Sequence, residues 1–386
     1  MPDKKNGYWV LVPIMLSFFA MGFVDAVGVA THYVKADFNL SDSVANLFPS
    51  MVFFWFLVCS VPTGMLMNKI GRRKTVLASL IVTAVALALP LVNYSFGVMM
   101  ASFALLGIGN TLMQVSLNPL LSNVVAGEKL ASVMTFGQFI KAIASFSAPL
   151  LAGWAALRFG SWKYLYLMFL AEAAVAFLFL AREKIKEEEV TGKASSFADC
   201  FRLLGDGFIF FCFLGIVCHV GVDVGVNVTA PRLLMDRAGA DLTQAGYASS
   251  VYFLFRTLGC FLGAFVLARC SAKKFFMLSA GCIALSMAGM VFLQGAWPLY
   301  ACMALVGFGN SNIFPIIFSQ AILHNPQKKN EVSGLMIMGL FGGTLFPLAM
   351  GLTADAVHSQ TGAVLVMSLG ALYLLWMIKN IRAQAA

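Results

Sequence analysis

Ala101-Ser-Phe-Ala-Leu-Leu-Gly-Ile-Gly-Asn110 recurs 200 residues later as Ala301-Cys-Met-Ala-Leu-Val-Gly-Phe-Gly-Asn310, with six of the ten positions identical. Both copies lie inside long apolar stretches, so the repeat is a piece of buried architecture carrying an amide at a matching depth. A second pair keeps the offset. Gly64-Met-Leu-Met-Asn-Lys-Ile-Gly-Arg-Arg-Lys74 aligns with Ala264-Phe-Val-Leu-Ala-Arg-Cys-Ser-Ala-Lys-Lys274, with basic residues at Lys69 and Arg269, Arg73 and Lys273, and Lys74 and Lys274. A third pair, Ala148-Pro-Leu-Leu-Ala-Gly153 and Phe346-Pro-Leu-Ala-Met-Gly351, is displaced by two. Self-similarity at one offset in three places means two homologous halves in tandem.

Composition leads to the solvent those halves occupy. Of 386 residues, 60% are hydrophobic and 11% charged, more apolar surface than a water-soluble core of this size can hide. Apolar runs of about 20 residues, the length that crosses about 30 Å of hydrocarbon, recur throughout. Twelve are expected, at 8–31, 43–67, 75–93, 96–123, 129–154, 161–181, 206–230, 243–268, 274–293, 297–323, 331–355 and 361–381. The reading is an all-α membrane protein of two pseudo-symmetric six-helix bundles, 1–181 and 206–386, joined by a polar cytoplasmic linker at 182–205. The first span follows Lys4 and Lys5, lacks a small-residue cleavage site, and reads as retained.

Basic residues concentrate on the cytoplasmic side of membrane proteins. With both termini inside, nineteen of the 26 Lys and Arg fall in cytoplasmic segments, five opposite, and Lys141 and Arg256 within spans. This asymmetry accounts for the net charge of +9 and removes any need to invoke nucleic acid. A bacterial inner (plasma) membrane is the expected location, with the chain a monomer. Eight cysteines are scattered mostly through apolar segments without a Cys-x-x-Cys or Cys/His cluster, which argues for packing rather than metal for most of them. The sequence holds no P-loop, His-Glu-x-x-His or Gly-x-Ser-x-Gly, so neither ATP-driven pumping nor hydrolysis is indicated. No cofactor, metal or enzymatic activity is expected.

Five charged residues lie where lipid penalises them by about 2.5–3.5 kcal/mol each: Asp25, Lys141, Glu172, Asp223 and Arg256. Asp25 and Asp223 read as equivalent, within Gly22-Phe-Val-Asp25 and Gly221-Val-Asp223. A carboxyl in a low-dielectric pocket is suited to loading and releasing a proton, which makes both candidate coupling groups. The competing reading is a structural ion pair with Lys141 or Arg256. Lys141 either neutralises Asp25 or receives an anionic substrate. Glu172 snorkels or packs against a polar neighbour, and His219 either shares a proton with Asp223 or is a satisfied core histidine.

Uncharged polar residues extend the pattern. Asn110, Gln114 and Asn118 at i, i+4, i+8 share one helix face, and Gln138, Asn227, Asn310 and Asn312 add further amides. Amides donate and accept, the capacity needed to read sugar hydroxyls; interhelical bonding is their other use. After the shared Asn the halves diverge, one continuing into a hydrogen-bonding stripe and the other into Phe314-Pro315, read as a largely apolar wall.

The twelve spans, the duplication and Gly64-Met-Leu-Met-Asn-Lys-Ile-Gly-Arg-Arg-Lys74 resemble the major facilitator superfamily and its loop signature. Gly64, Arg72 and Arg73 match, and Asn68 replaces the usual acid; the resemblance implies a gating role for these four. Within the superfamily the chain is similar to the fucose:proton symporter family of sugar permeases. The shared features are Gln114-Val-Ser-Leu-Asn-Pro119, Phe255-Arg-Thr-Leu-Gly259, Phe314-Pro-Ile-Ile-Phe-Ser319, Gly342-Gly-Thr-Leu-Phe-Pro347 and Gly351-Leu-Thr-Ala-Asp355. Gln114 stands where that family's type member has a Glu. The resemblance implies the major facilitator fold and alternating access, with sites near the midplane at the repeat interface. The expected function is import of a sugar or sugar derivative, probing substrate with Gln114, Asn118, Gln138, Lys141, Asn227, Asn310 and Asn312. Asp25 and Asp223 would couple it to a proton or sodium. The alternatives are an anionic sugar (a sialic acid or uronate) held by Lys141, a drug:proton antiporter, or a non-transporting receptor.

Overall fold

The computed structural model describes residues 6–40, 44, 47–125, 129–185, 187, 196–240 and 242–382; within these, the side chains of 6–8, 25, 26, 28, 29, 32, 49, 149 and 242–247 lie outside the description. The side chain of Asp25 is therefore outside it, as are residues 186 and 188–195 of the expected linker.

The first-half helices are α1 (Asn6–Met21), α2 (Val27–Asp37), α3 (Leu47–Ile70), α4 (Arg72–Val92), α5 (Phe96–Val124), α6 (Lys129–Phe159), α7 (Tyr164–Arg182) and the short α8 (Phe197–Arg202). There follow α9 (Gly207–Ala238), α10 (Leu242–Leu267), α11 (Ala272–Phe292), α12 (Ala296–Asn310), α13 (Ile313–His324), α14 (Lys329–Met338), α15 (Gly342–Val357) and α16 (Thr361–Met377). No strand occurs among the described residues. Hydrocarbon offers backbone amides no partner, so a spanning segment must satisfy them internally. Among the described residues ten helical segments are long and apolar enough to cross a membrane, and with the shorter apolar helices Trp9–Val24 and Thr361–Met377 the count is consistent with the expected twelve.

Three expected spans are interrupted. The first breaks into a 3₁₀ turn at Gly22–Ala26, the tenth at Ser311 and Asn312 between α12 and α13, and the eleventh at a 3₁₀ turn over Gly339–Phe341. At the first break a Cβ on Gly22 would stand 2.6 Å from both Ala144 Cβ and the Lys141 carbonyl oxygen, so α6 presses on the turn. Asp25 thus sits in a 3₁₀ turn, whereas Asp223 lies within the continuous α9. The two acids do not share a local backbone, which corrects their expected equivalence.

Two compact units emerge. One comprises Met1–Ala126, Gly137–Arg202 and Pro326–Met338; the other comprises Gly127–Phe136, Leu203–Asn325 and Gly339–Ala386. The first unit thus takes α14 from late in the chain, and the second takes the opening turns of α6. In the first unit Phe23, Phe48, Phe103, Tyr166 and Phe169 form part of a buried apolar cluster, Phe23 meeting Phe169 at 4.7 Å between centroids.

The repeated Gly-x-Gly owes its form to close helix approach. A Cβ on Gly107 would lie 2.6 Å from the Val52 carbonyl oxygen, and one on Gly307 2.4 Å from that of Tyr252. Gly109 faces Thr83 Oγ1 at 2.6 Å, and Gly309 faces the Ser279 carbonyl oxygen at 2.7 Å. These pairings join α5 to α3 and α4, and α12 to α10 and α11, so the duplication persists contact by contact. One bond is kept with its donor moved. Ser102 Oγ donates to the Ala86 carbonyl at 2.7 Å, and Ser286 Oγ donates to the Cys302 carbonyl at 2.7 Å; positions 86 and 102 correspond to 286 and 302.

Outside the spans, local chemistry fixes helix ends. Asp206 caps α9, accepting from the amides of Phe208 at 2.8 Å and Ile209 at 3.2 Å. Burial pushes its carboxyl up, but the His324 bond and those amides outweigh it and hold it below the ordinary carboxylate range. Arg237 donates to the Met290 carbonyl at 2.5 Å and to Thr361 Oγ1 at 2.7 Å, pinning the C-terminal end of α11 to the start of α16. Tyr94 donates to Asp37 at 2.5 Å, and burial followed by that bond raises its phenol.

Candidate functional site

The second unit holds a connected polar network among apolar helices. Asp223, on α9, receives a hydrogen bond at Oδ1 from the Tyr252 hydroxyl and an ion pair at Oδ2 from Arg256 Nη1 at 3.0 Å. Tyr252 and Arg256 are one turn apart on α10, so both reach the carboxylate from one helix face. Asn310, ending α12, donates through Nδ2 to the Tyr252 oxygen at 2.9 Å, and its Oδ1 meets His219 Nδ1 at 2.7 Å. Tyr252, Asn310 and His219 are buried, and the Arg256 and Asp223 side chains are 29% and 14% exposed. Pairing offsets much of the cost of placing two charges at this depth. Asn227 attaches to the same region, its Nδ2 donating to the Asp223 carbonyl at 2.9 Å while its buried Oδ1 has no partner among the described residues.

Asn312 stands apart at the α12–α13 break. Its Nδ2 donates to the Gly259 carbonyl at 3.0 Å and to Ser311 Oγ at 2.5 Å, and its Oδ1 is buried and unpartnered among the described residues.

In the first unit the amide stripe occurs as expected, but most of its capacity is used within the protein. Asn110 donates to the Met21 carbonyl at 3.1 Å, Gln114 donates to Asn110 Oδ1 at 2.8 Å, and Asn118 donates to the Gln114 carbonyl at 3.1 Å. All three are buried, with Asn118 Oδ1 left over. A small cavity beside the first break is lined by Met21, Phe23, Val24, Thr83, Asn110 and Met113 among others. Gln138 and Lys141 are half-buried on α6. Glu172 does not snorkel: both carboxyl oxygens are buried without a partner among the described residues.

The loop signature forms its own cluster in the first unit. Asn68 Nδ2 donates to Glu331 Oε1 at 2.5 Å, and Asn68 Oδ1 accepts from Asn330 at 2.6 Å. Arg72 Nε donates to Asn330 Oδ1 at 2.6 Å and Nη1 to Asn123. The acid missing at position 68 is supplied from α14 at Glu331, with an amide across from it. Gly64 admits α14, since a Cβ there would sit 2.7 Å from the Asn330 carbonyl oxygen. Glu187, from the linker, accepts from the amides of Arg72 at 2.6 Å and Arg73 at 2.8 Å, placing a carboxylate at the α4 N-terminus, where the helix dipole favours negative charge. Arg73 spends its guanidinium on the carbonyls of Leu180 at 3.1 Å and Ala181 at 2.6 Å.

The site therefore departs from the sequence reading in two ways. The second half is no apolar wall but carries the more connected network, and Tyr252, its central donor, lies outside the polar set read from the sequence. Comparing halves at the 200-residue offset finds it: His219, Asp223, Tyr252 and Arg256 correspond to Phe19, Phe23, Val52 and Phe56, and only Asn310 keeps its counterpart, Asn110.

An apolar helical fold enclosing a small set of buried polar groups is the construction of a membrane transport protein. The family model for the Major Facilitator Superfamily matches residues 14–346 and 212–384, and the chain belongs to that superfamily. It is similar to a glucose/galactose transporter of Brucella abortus, 25% identical over 92% of this chain and 90% of that one. A putative glucose/galactose transporter of Helicobacter pylori is 23% identical over 94% and 93%. The solved structure of the Major Facilitator Superfamily transporter FucP, in the outward conformation, matches in fold with a TM-score of 0.83 at 18% identity, covering 97% of this chain and 99% of that one.

Proposed function

We propose that the chain is a secondary active transporter importing a sugar or sugar derivative by alternating access, with proton symport at an intramembrane carboxylate. The observation that carries this reading is the Asp223–Arg256 pair, a titratable charge held among apolar helices with 14% of its acid side chain still open. Near full-length similarity to proteins named glucose/galactose transporters supports the substrate class. Unspent hydrogen-bonding atoms on Asn118, Asn227 and Asn312 support assigning sugar recognition to them with Gln114, Gln138, Lys141 and Asn310. Asp223 is the coupling group, with Asp25 as the other candidate. The Gly64, Asn68, Arg72 and Arg73 segment gates, using Glu331 as the acid of its latch. The homologous halves meet at the 182–205 linker, and the protein works as a monomer in a bacterial inner membrane with both termini cytoplasmic. One proton crossing about 100 mV supplies about 2.3 kcal/mol, enough for about 45-fold accumulation.

Counterflow in proteoliposomes against a panel of neutral and acidic sugars tests the reading, repeated with Asp25→Asn and Asp223→Asn. Neutral hexoses are expected to exchange, with pH dependence lost in the variant that removes the coupling acid. Exchange confined to uronates or sialic acids, and lost in Lys141→Gln, favours the anionic-sugar alternative. Unaltered pH and sodium dependence in both Asn variants refutes the coupling assignment.

A further inference from the structure

We propose that Tyr252 is the positioning residue of the coupling carboxylate, orienting Asp223 at the end of a one-way chain of donors that begins at His219. The inference rests on the reading of Asp223 as the coupling group and adds how that group is held.

The direction follows from donor chemistry. Asn310 Nδ2 donates to the Tyr252 oxygen, so the other atom of the amide, an acceptor only, is what faces His219 Nδ1 at 2.7 Å. His219 therefore carries its proton on Nδ1. Tyr252 accepts from Asn310 and spends its single proton on Asp223 Oδ1. Each bond polarises the next toward the carboxylate. Arg256 takes the second oxygen at 3.0 Å, so each carboxylate oxygen has a donor, one neutral and one cationic.

Among the described residues, His219 from α9 itself and Tyr252 and Arg256 from α10 are the titratable groups of the network around Asp223. Helix α12 contributes the uncharged Asn310, α15 packs Phe346 against Gly221, and α16 packs Met367 against Gly225. In the first unit Phe19, Phe23, Val52 and Phe56 fill the corresponding sequence positions. With Asn110 donating to a backbone carbonyl there, the shared Asn braces a helix in one unit and orients a phenol in the other.

A hydrogen bond to the charged form favours that form. Losing the Tyr252 hydroxyl removes one of two such bonds, so uptake that depends on loading the acid saturates at lower proton concentration. The test is the pH profile of glucose and galactose uptake in proteoliposomes for Tyr252→Phe, Asp223→Asn and Tyr373→Phe. The last loses a hydroxyl that donates to the Phe211 carbonyl elsewhere in the unit. Tyr252→Phe is expected to reach half-maximal uptake at an about tenfold lower proton concentration, a lost bond to a charged group being worth at least that factor. Tyr373→Phe keeps the wild-type midpoint. If Tyr252→Phe is not recovered folded, His219→Leu cuts the chain at its far end and moves the midpoint the same way by a smaller factor. A wild-type midpoint in these variants, with Asp223→Asn flat across pH, refutes the positioning role and leaves the coupling reading standing. Wild-type pH dependence in Asp223→Asn refutes the coupling reading itself.

Discussion

Replacing Gly107 or Gly307 by Ala places a methyl group where a backbone carbonyl oxygen already stands, 2.6 Å away at Val52 in one unit and 2.4 Å away at Tyr252 in the other. Backbone cannot rotate aside as a side-chain tip can, so the helices must part by several tenths of an ångström, and overpacking of this kind costs about 1–3 kcal/mol. The intrinsic preference of a helix interior for Ala over Gly returns about 1 kcal/mol, which leaves a net loss of up to about 2 kcal/mol. At roughly 2–4 °C per kcal/mol for units of this size, each variant is expected to melt several degrees lower in detergent. Gly153 and Gly281 are the controls. Both lie inside helices, and a Cβ on either meets nothing within 4 Å among the described residues, so Ala there is expected to leave the melting temperature unchanged or raised. Thermal unfolding of the four purified variants by intrinsic fluorescence decides the matter. Equal melting temperatures for Gly107→Ala, Gly307→Ala and the controls would show that the repeated motif does not set helix spacing.

Asp223→Asn and Arg256→Gln each strand a partly buried partner, and the double variant is expected to be more stable than the sum of the singles by about 1–3 kcal/mol. An additive cycle in thermal melts argues against the ion pair. Glu187→Ala removes the carboxylate from the amides of Arg72 and Arg73, a capping loss of about 0.5–2 kcal/mol. Trypsin is expected to cut at Arg72 and Arg73 faster, with Glu187→Gln intermediate, and unchanged cleavage rules out the cap. Asp206 has a folded carboxyl held below its ordinary value of 3.8. Its contribution is therefore fully present above that value and fades as pH falls through the lowered one. Melting of Asp206→Asn is expected to depend less on pH than wild type below about 4, the usual carboxylate range, and identical acid profiles refute this.

The fold was legible because membrane architecture writes itself in one dimension. Runs of apolar residues mark helices, and the tandem repeat at Asn110 and Asn310 halves the problem. Helix breaks were not legible, since Gly22–Ala26 and Gly339–Phe341 lie within runs that read as continuous spans, and the close approach of Gly22 to α6 and of Gly339 to α9 is made with helices far off in sequence. The amide stripe was visible in spacing, but spacing does not reveal that Gln114 is spent on Asn110. Residues 219, 223, 252, 256 and 310 come from three helices, and no local pattern links them. Charge marks Asp223 and Arg256 and the repeat marks Asn310, but only the apolar counterpart Val52 singles out Tyr252. Asn68 read as the loss of an acid because its partner at Glu331 lies 263 residues away.

The serine that moved bears on how duplicated membrane proteins drift apart. Ser102 with Ala86, and Ser286 with Cys302, make the same bond from opposite helices. Residue-by-residue comparison scores two unrelated differences there, although the link between the helices is intact. A path from one arrangement to the other through a form with serine on both helices never breaks the link, whereas a path through neither leaves the helices unlinked in a solvent that offers no substitute. Ancestors of the two halves are thus expected to have carried both serines, and Ala86→Ser with Ser102→Cys should transplant the second half's solution into the first.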